Sequence, residues 1–100
     1  MALVLVNKFV LTATPEEFEK VFRETAEFMR AQPGFLRYRL VRSDTDPTVY
    51  INIAEWTDRE ALLSLNDRPE MVEHRAEIRT VAIPDPHFCS PVLDVEGAPR

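Results

Sequence analysis

Three side chains stand out for the chemistry that their types and spacing allow: Asn7, Asn52 and Trp56. A carboxamide offers both a donor and an acceptor to a ligand. On a largely apolar strand face it must find a partner, at a cost of roughly 1–3 kcal/mol if none is found. Asn52 falls in one alternating row with Tyr50, Ala54 and Trp56, and Asn7 falls in one with Leu3, Leu5, Phe9 and Leu11. The indole of Trp56 adds a flat apolar wall with one N–H donor. Two amides and an indole on a shared face would line a polar pocket for a ligand. The competing structural reading is that a strand asparagine satisfies a bulge or an edge and that the tryptophan is core. His74, between Glu73 and Arg75, is either an exposed helix histidine or a general base or axial iron ligand. His87 falls in a proline-flanked loop, and Cys89 has no activating neighbour in sequence, so it reads as an inert thiol. Two histidines and one cysteine make a poor metal set, so no metal site is expected. Glycine occurs only at 34 and 97, which excludes a phosphate-cradling loop. No nucleophile elbow is present.

The elements that must position these groups follow from periodicity. Ala2–Leu11, rich in Val and Leu, reads as a strand buried on both faces. Thr14-Pro15-Glu16-Glu17 is a capping box with proline at the first helical position. It opens a helix whose apolar stripe runs through Phe18, Val21, Phe22, Thr25, Phe28 and Met29, and which Pro33-Gly34 ends. Phe35–Arg42 and Val49–Trp56 read as an antiparallel hairpin around the polar turn Ser43–Pro47. Thr57-Asp58-Arg59-Glu60 and Asp67-Arg68-Pro69-Glu70 are two more capping boxes. The first opens a short helix to about Asn66, the second a helix to about Thr80. Pro84 and Pro86 break regular structure, and Val92–Glu96 is the expected last strand. The order β-α-β-β-α-α-β is the split β-α-β, or ferredoxin-like, α+β pattern with its second helix broken in two. The aliphatic row Val49, Ile51, Ile53 suits contact with the first helix, so the Asn52 row is expected to face away from the helices.

One hundred residues make one domain, read as residues 1–96 with a flexible tail at 97–100. So short a chain leaves sheet surface exposed, which favours a homodimer. A net charge of −5 argues against nucleic acid and against an anionic membrane surface. No run approaches the ~20 apolar residues of a membrane span, and the N-terminus lacks a basic leader. A soluble, cytoplasmic protein is expected.

Strand 1 with Asn7, the Pro33-Gly34-Phe35 turn and Tyr50-Ile51-Asn52-Ile53-Ala54-Glu55-Trp56 followed by a short helix resemble the antibiotic biosynthesis monooxygenase (ABM) domains. The resemblance spans residues 2 to 95. The Asn-x-Ala-x-Trp spacing at 52, 54 and 56 resembles the cofactor-independent anthrone oxygenases of aromatic polyketide pathways. It implies a dimeric α+β barrel with sheets packed together and one pocket per subunit between sheet and helices. That location differs from the outward facing read from alternation. It implies Asn52, Trp56 and Asn7 as catalytic residues, with Tyr50, Phe9, Leu62, Leu65 and His74 placed to contact an aromatic substrate. No metal or flavin would be needed, molecular oxygen being the co-substrate. Leu62 stands where some of these oxygenases carry a tyrosine, which removes that proton donor. A haem-degrading branch of the superfamily is matched by Asn7 and by His74 as axial ligand, but its helix tryptophan falls near Leu65. Fold alone also allows an isomerase, a cyclase or a small-ligand-binding module.

Overall fold

The computed structural model describes residues 2–99; Met1 and Arg100, the last residue of the expected tail, lie outside them. The elements are β1 (Leu3–Leu11), α1 (Pro15–Arg30), β2 (Phe35–Arg42), β3 (Val49–Trp56), α2 (Arg59–Leu63), α3 (Pro69–Arg79) and β4 (Ala82–Cys89). The strands form one antiparallel sheet in the order β2-β3-β1-β4. β3 thus inserts between β1 and β2, which are joined through α1, and this is the ferredoxin-like α+β arrangement.

Local chemistry explains most boundaries. Thr14 and Glu17 complete both bonds of the capping box, each at 3.2 Å, and Pro15 occupies the first turn of α1. Gly34 adopts φ +86°, and a Cβ there would lie 2.5 Å from Ala61 Cβ and 2.9 Å from Thr57 Oγ1. The turn into β2 therefore needs glycine twice over, for its backbone and for the close approach of α2. The other two capping boxes are displaced. Asp58, not Thr57, caps α2 by accepting from the Ala61 N–H at 2.8 Å. Arg68 stands at the start of α3 with no side-chain cap, because Pro69 takes the first helical position and leaves Asp67 one residue too early.

Three expectations are corrected. The last strand is Ala82–Cys89, not Val92–Glu96. Its prolines are tolerated because β4 is an edge strand, where one row of N–H groups has no ladder to join. β1 is not buried on both faces: Leu3 and Phe9 are buried, whereas Lys8 and Val10 are exposed. The Asn52 row faces the helices, not away from them. Tyr50, Ala54 and Trp56 are buried, and Ile53 on the alternate row is exposed. Alternation fixes only relative facing. The row with the two aromatic side chains takes the core side. The outer face keeps Val4, Val6, Val41, Ile51 and Ile53, so both faces look apolar in sequence.

The core falls into two clusters. Phe9, Phe18, Phe22, Ala26, Tyr50, Ile78, Val81 and Ala82 form one; Leu3, Trp56, Leu62, Leu65 and Met71 form the other. Among the described residues no helix is long and apolar enough to cross a membrane.

Candidate active site

The β1–β3 register builds the site. Asn7 pairs directly with Asn52, Leu5 with Ala54, and Leu3 with Trp56. Directly opposed residues place their Cβ atoms about 5 Å apart, so the two amides lie side by side on the helix face, with the indole two pleat repeats beyond, past Ala54. These polar groups interrupt the apolar floor where the two core clusters would otherwise meet.

Above them lies a cavity of about 600 Å³. Its floor is Leu5, Asn7, Phe9, Tyr38, Asn52, Ala54 and Trp56, with Pro84, Pro86 and Phe88 from β4. Thr25, Ala26 and Met29 of α1 and Met71, Arg75, Ile78 and Arg79 of α3 form the roof, and Leu62, Leu65 and Asn66 close one end. The volume and the mostly apolar lining with a few convergent polar groups are those of a small-molecule site.

Two polar atoms of the site stand without partners. Asn52 Oδ1 and Trp56 Nε1 are buried and have no hydrogen-bond partner. An orphaned acceptor and an orphaned donor each cost about 1–3 kcal/mol, and native structures rarely keep such groups without a use for them. Trp56 is fully buried, its ring edge-on to Phe35 at 5.2 Å and 87°. The fixed indole therefore points its N–H at one place. Asn7 is partly engaged: its Oδ1 accepts the Asp85 N–H at 3.1 Å, which ties the amide to the proline-rich edge strand. Its –NH₂ group is the end left to face a ligand.

The charges around the cavity have one sign. Arg75 and Arg79 line it, and no lining residue is Asp or Glu. Arg75 Nη2 donates to the Asn66 carbonyl at 2.6 Å, which holds the guanidinium against the end of the cavity. A chain of net charge −5 thus presents a locally cationic pocket.

Phe9, Leu62 and Leu65 line the cavity, as do Asn7, Asn52 and Trp56. Tyr50 and His74 do not. Tyr50 shares the Asn52 row but sits beyond Phe22, where its hydroxyl donates to Glu19 Oε2 at 2.6 Å and Arg42 lies over its ring. Burial pushes the Tyr50 phenol above its ordinary range, and the hydrogen bond to Glu19 adds to this. His74 lies between α1 and α3, its ring 5.2 Å from that of Phe28 and its Nδ1 3.5 Å from Thr25 Oγ1. On α3 it is one residue, about 100° of rotation, from Arg75, which does reach the cavity. Sequence reasoning missed Tyr38, Arg75, Arg79, Asn66 and the two methionines. The positions of Arg75, Arg79 and Met71 on α3 become readable only once the facing of that helix is known. Among the described residues no group of three or more His, Cys, Asp or Glu side chains is placed to hold a metal ion.

Comparison with known proteins accords with this geometry. The antibiotic biosynthesis monooxygenase family profile matches residues 1–77. Deoxynogalonate monooxygenase of Streptomyces nogalater is 38% identical over 80 residues, which are 80% of this chain and 68% of that one. SnoaB, a cofactor-independent oxygenase from Streptomyces nogalater, superposes with a TM-score of 0.90 at 31% identity, over 96% of this chain and 98% of the other. Rv0793 from Mycobacterium tuberculosis shares the fold, with a TM-score of 0.77 at 15% identity over 96% of this chain and all of that one.

Proposed function

Because the chain belongs to the antibiotic biosynthesis monooxygenase family, we propose that it oxidises a phenolic, anthrone-like polycyclic polyketide intermediate to a quinone with O₂ and without metal or flavin. The observation that carries this reading is the pair of orphaned atoms, Asn52 Oδ1 and Trp56 Nε1, in an apolar, cationic cavity. A buried acceptor and a buried donor on one strand row suit a flat, extended ring system that bears polar groups at separate positions. The similarity to a deoxynogalonate monooxygenase and to a cofactor-independent oxygenase supports the same class of substrate.

Such a substrate loses a proton to give a delocalised, electron-rich anion. One electron passes to O₂, and the resulting radical and superoxide combine with a proton into a hydroperoxide at the ring carbon. That carbon then loses its remaining proton as the O–O bond breaks and water departs. One oxygen atom stays as the new carbonyl and the other leaves in water, so no external reductant is needed. The protein orients the rings, excludes water and stabilises negative charge. Asn52 and the Asn7 –NH₂ group hold the oxygen-bearing edge. Trp56 bounds the rings and donates its N–H to the developing oxyanion or peroxide. Arg75 and Arg79 favour the anionic form.

Asn52→Ala and Trp56→Phe each test the assignment. Loss of a donor aimed at developing charge costs on the order of 10²–10³ in kcat. Folded variants that turn over at the parent rate contradict it. The haem reading with His74 as axial ligand draws no support from the cavity, because His74 does not line it. The proposal includes a cytoplasmic homodimer packed through the outer face of the sheet, where Val4, Val6, Val41, Ile51 and Ile53 form a surface suited to a second copy.

A further inference from the structure

We propose that a second cavity, beside the main one, is a subsite for a carboxylate carried on a short side chain of the aromatic ligand. Arg42 binds that carboxylate, and Tyr38 is the partition the side chain passes. The proposal rests on the reading that the main cavity takes the aromatic rings.

The second cavity holds about 360 Å³ between α1 and the β2–β3 pair. Phe22 and Tyr38 line both cavities and form their shared wall. The two rings stand edge to face, with centroids 5.8 Å apart. Phe22 is buried, whereas Tyr38 is 37% exposed. A buried ring is held by its neighbours on every side, and a partly exposed one swings at less cost. Tyr38 is therefore the half of the wall that gives way.

The β2–β3 register puts both cavities within reach of one molecule. Leu40, which lines the second, is directly opposite Asn52, which lines the first. Arg42 is opposite Tyr50 on the same helix-facing row of β2. It thus stands one strand across and two residues along from Asn52, about 8 Å between Cα atoms. A ring held at Asn52 can present a short side chain to Arg42.

Arg42 is set to meet an anion. Its Nε donates to the Pro47 carbonyl at 3.0 Å, and its guanidinium lies 5.5 Å from the centroid of the Tyr50 ring. These contacts hold the head in place, so little freedom is lost on binding. Neither terminal nitrogen has a hydrogen-bond partner among the described residues. Arg23 lines the same cavity and comes no nearer to Glu19 than 3.9 Å. Glu19 is the one acid in the wall, and its Oε2 already accepts the Tyr50 hydroxyl at 2.6 Å. That hydroxyl is spent on Glu19 and takes no part in holding a ligand. Two guanidinium groups against one carboxylate leave one net positive charge. A monoanion matches it, which a carboxylate is and a phosphate ester at neutral pH is not. The fork of free N–H groups on Arg42 fits the two carboxylate oxygens.

Trp56 is the single tryptophan of the chain and lines the main cavity, so quenching of its fluorescence reports binding there without turnover. The probes are anthraquinone-propionic acid and its primary amide, titrated against the full-length chain at neutral pH. The acid is expected to bind about tenfold more tightly than the amide. Arg42→Gln is expected to bring the acid to within about threefold of the amide, and Arg42→Lys to recover part of the preference. Circular dichroism checks that each variant folds. If Arg42→Gln does not fold, Arg23→Gln at an exposed position replaces it, with the preference expected to fall about threefold. An acid preferred equally by the parent and the variants overturns the subsite and assigns the carboxylate to the arginines of the main cavity. Equal affinity of the parent for acid and amide also overturns it and leaves the aromatic cavity standing. Quenching by neither probe overturns both.

Discussion

Asn52 separates function from stability more cleanly than any other residue here. Its buried, unpartnered Oδ1 is a liability to the folded state. Asn52→Leu keeps the approximate shape and removes the orphan. The expected outcome is an unfolding temperature raised by a few degrees, about 1 kcal/mol in a domain of this size, together with loss of most of the activity. A variant that loses stability instead would show that the amide is structural. Tyr50 is the opposite case, a residue on the same row that serves the fold. Tyr50→Phe removes the bond to Glu19 and is expected to cost about 1 kcal/mol in a thermal melt while kcat is unchanged. The sign with pH follows from the raised phenol. Its folded value lies above its unfolded one, so the linked stability is whole below the ordinary phenol range near 10 and is lost as pH rises through the folded value. A spectrophotometric titration should therefore show one tyrosine ionising late, and in Tyr50→Phe that late step should be missing.

At the level of elements, the site depends on how α2 seats against the start of β2. Gly34 allows it, and Phe35 next to it packs on Trp56. Gly34→Ala forces a strained backbone and a clash with Ala61, and is expected to destabilise the chain by about 2 kcal/mol or more. Chemical denaturation measures this. Adding Ala61→Gly should recover the steric part but not the backbone part, and full recovery would show that the left-handed turn is costless. Much of this arrangement was legible beforehand. The Thr14–Glu17 box, the Phe18–Met29 stripe and the hairpin at 35–42 and 49–56 are local signals, and the structure has them at those positions. What could not be read depends on distant partners. The aliphatic row of β3 looked like the core row because the outer face of the sheet is apolar as well. The sequence points to Val92–Glu96 as the last strand because the true one includes two prolines, which only an edge position excuses. The side chains of the candidate site were readable as types on a shared row. Their enclosure by Arg75, Met71 and Met29 was not, since α3 shows no clear apolar stripe in sequence.

For the molecule as a whole, a short chain carries a large cavity between two core clusters. It can bury only about two-thirds of the surface its unfolded form exposes, and the cavity takes part of that. The apolar outer face of the sheet is the surface through which the proposed second copy would make up the difference. The cavity's arginines run against the net charge of −5, so anionic ligands are drawn to one place on an otherwise repelling molecule. On the proposed function, this cavity lets O₂ react with an anionic aromatic substrate using the protein's own groups alone. The direct measurement is an oxygen-electrode trace of the purified chain with a simple anthrone and a metal chelator present. Enzyme-dependent uptake of one O₂ per quinone formed, unchanged by the chelator, is expected. Uptake no faster than the substrate's own autoxidation, or uptake that the chelator abolishes, would contradict it.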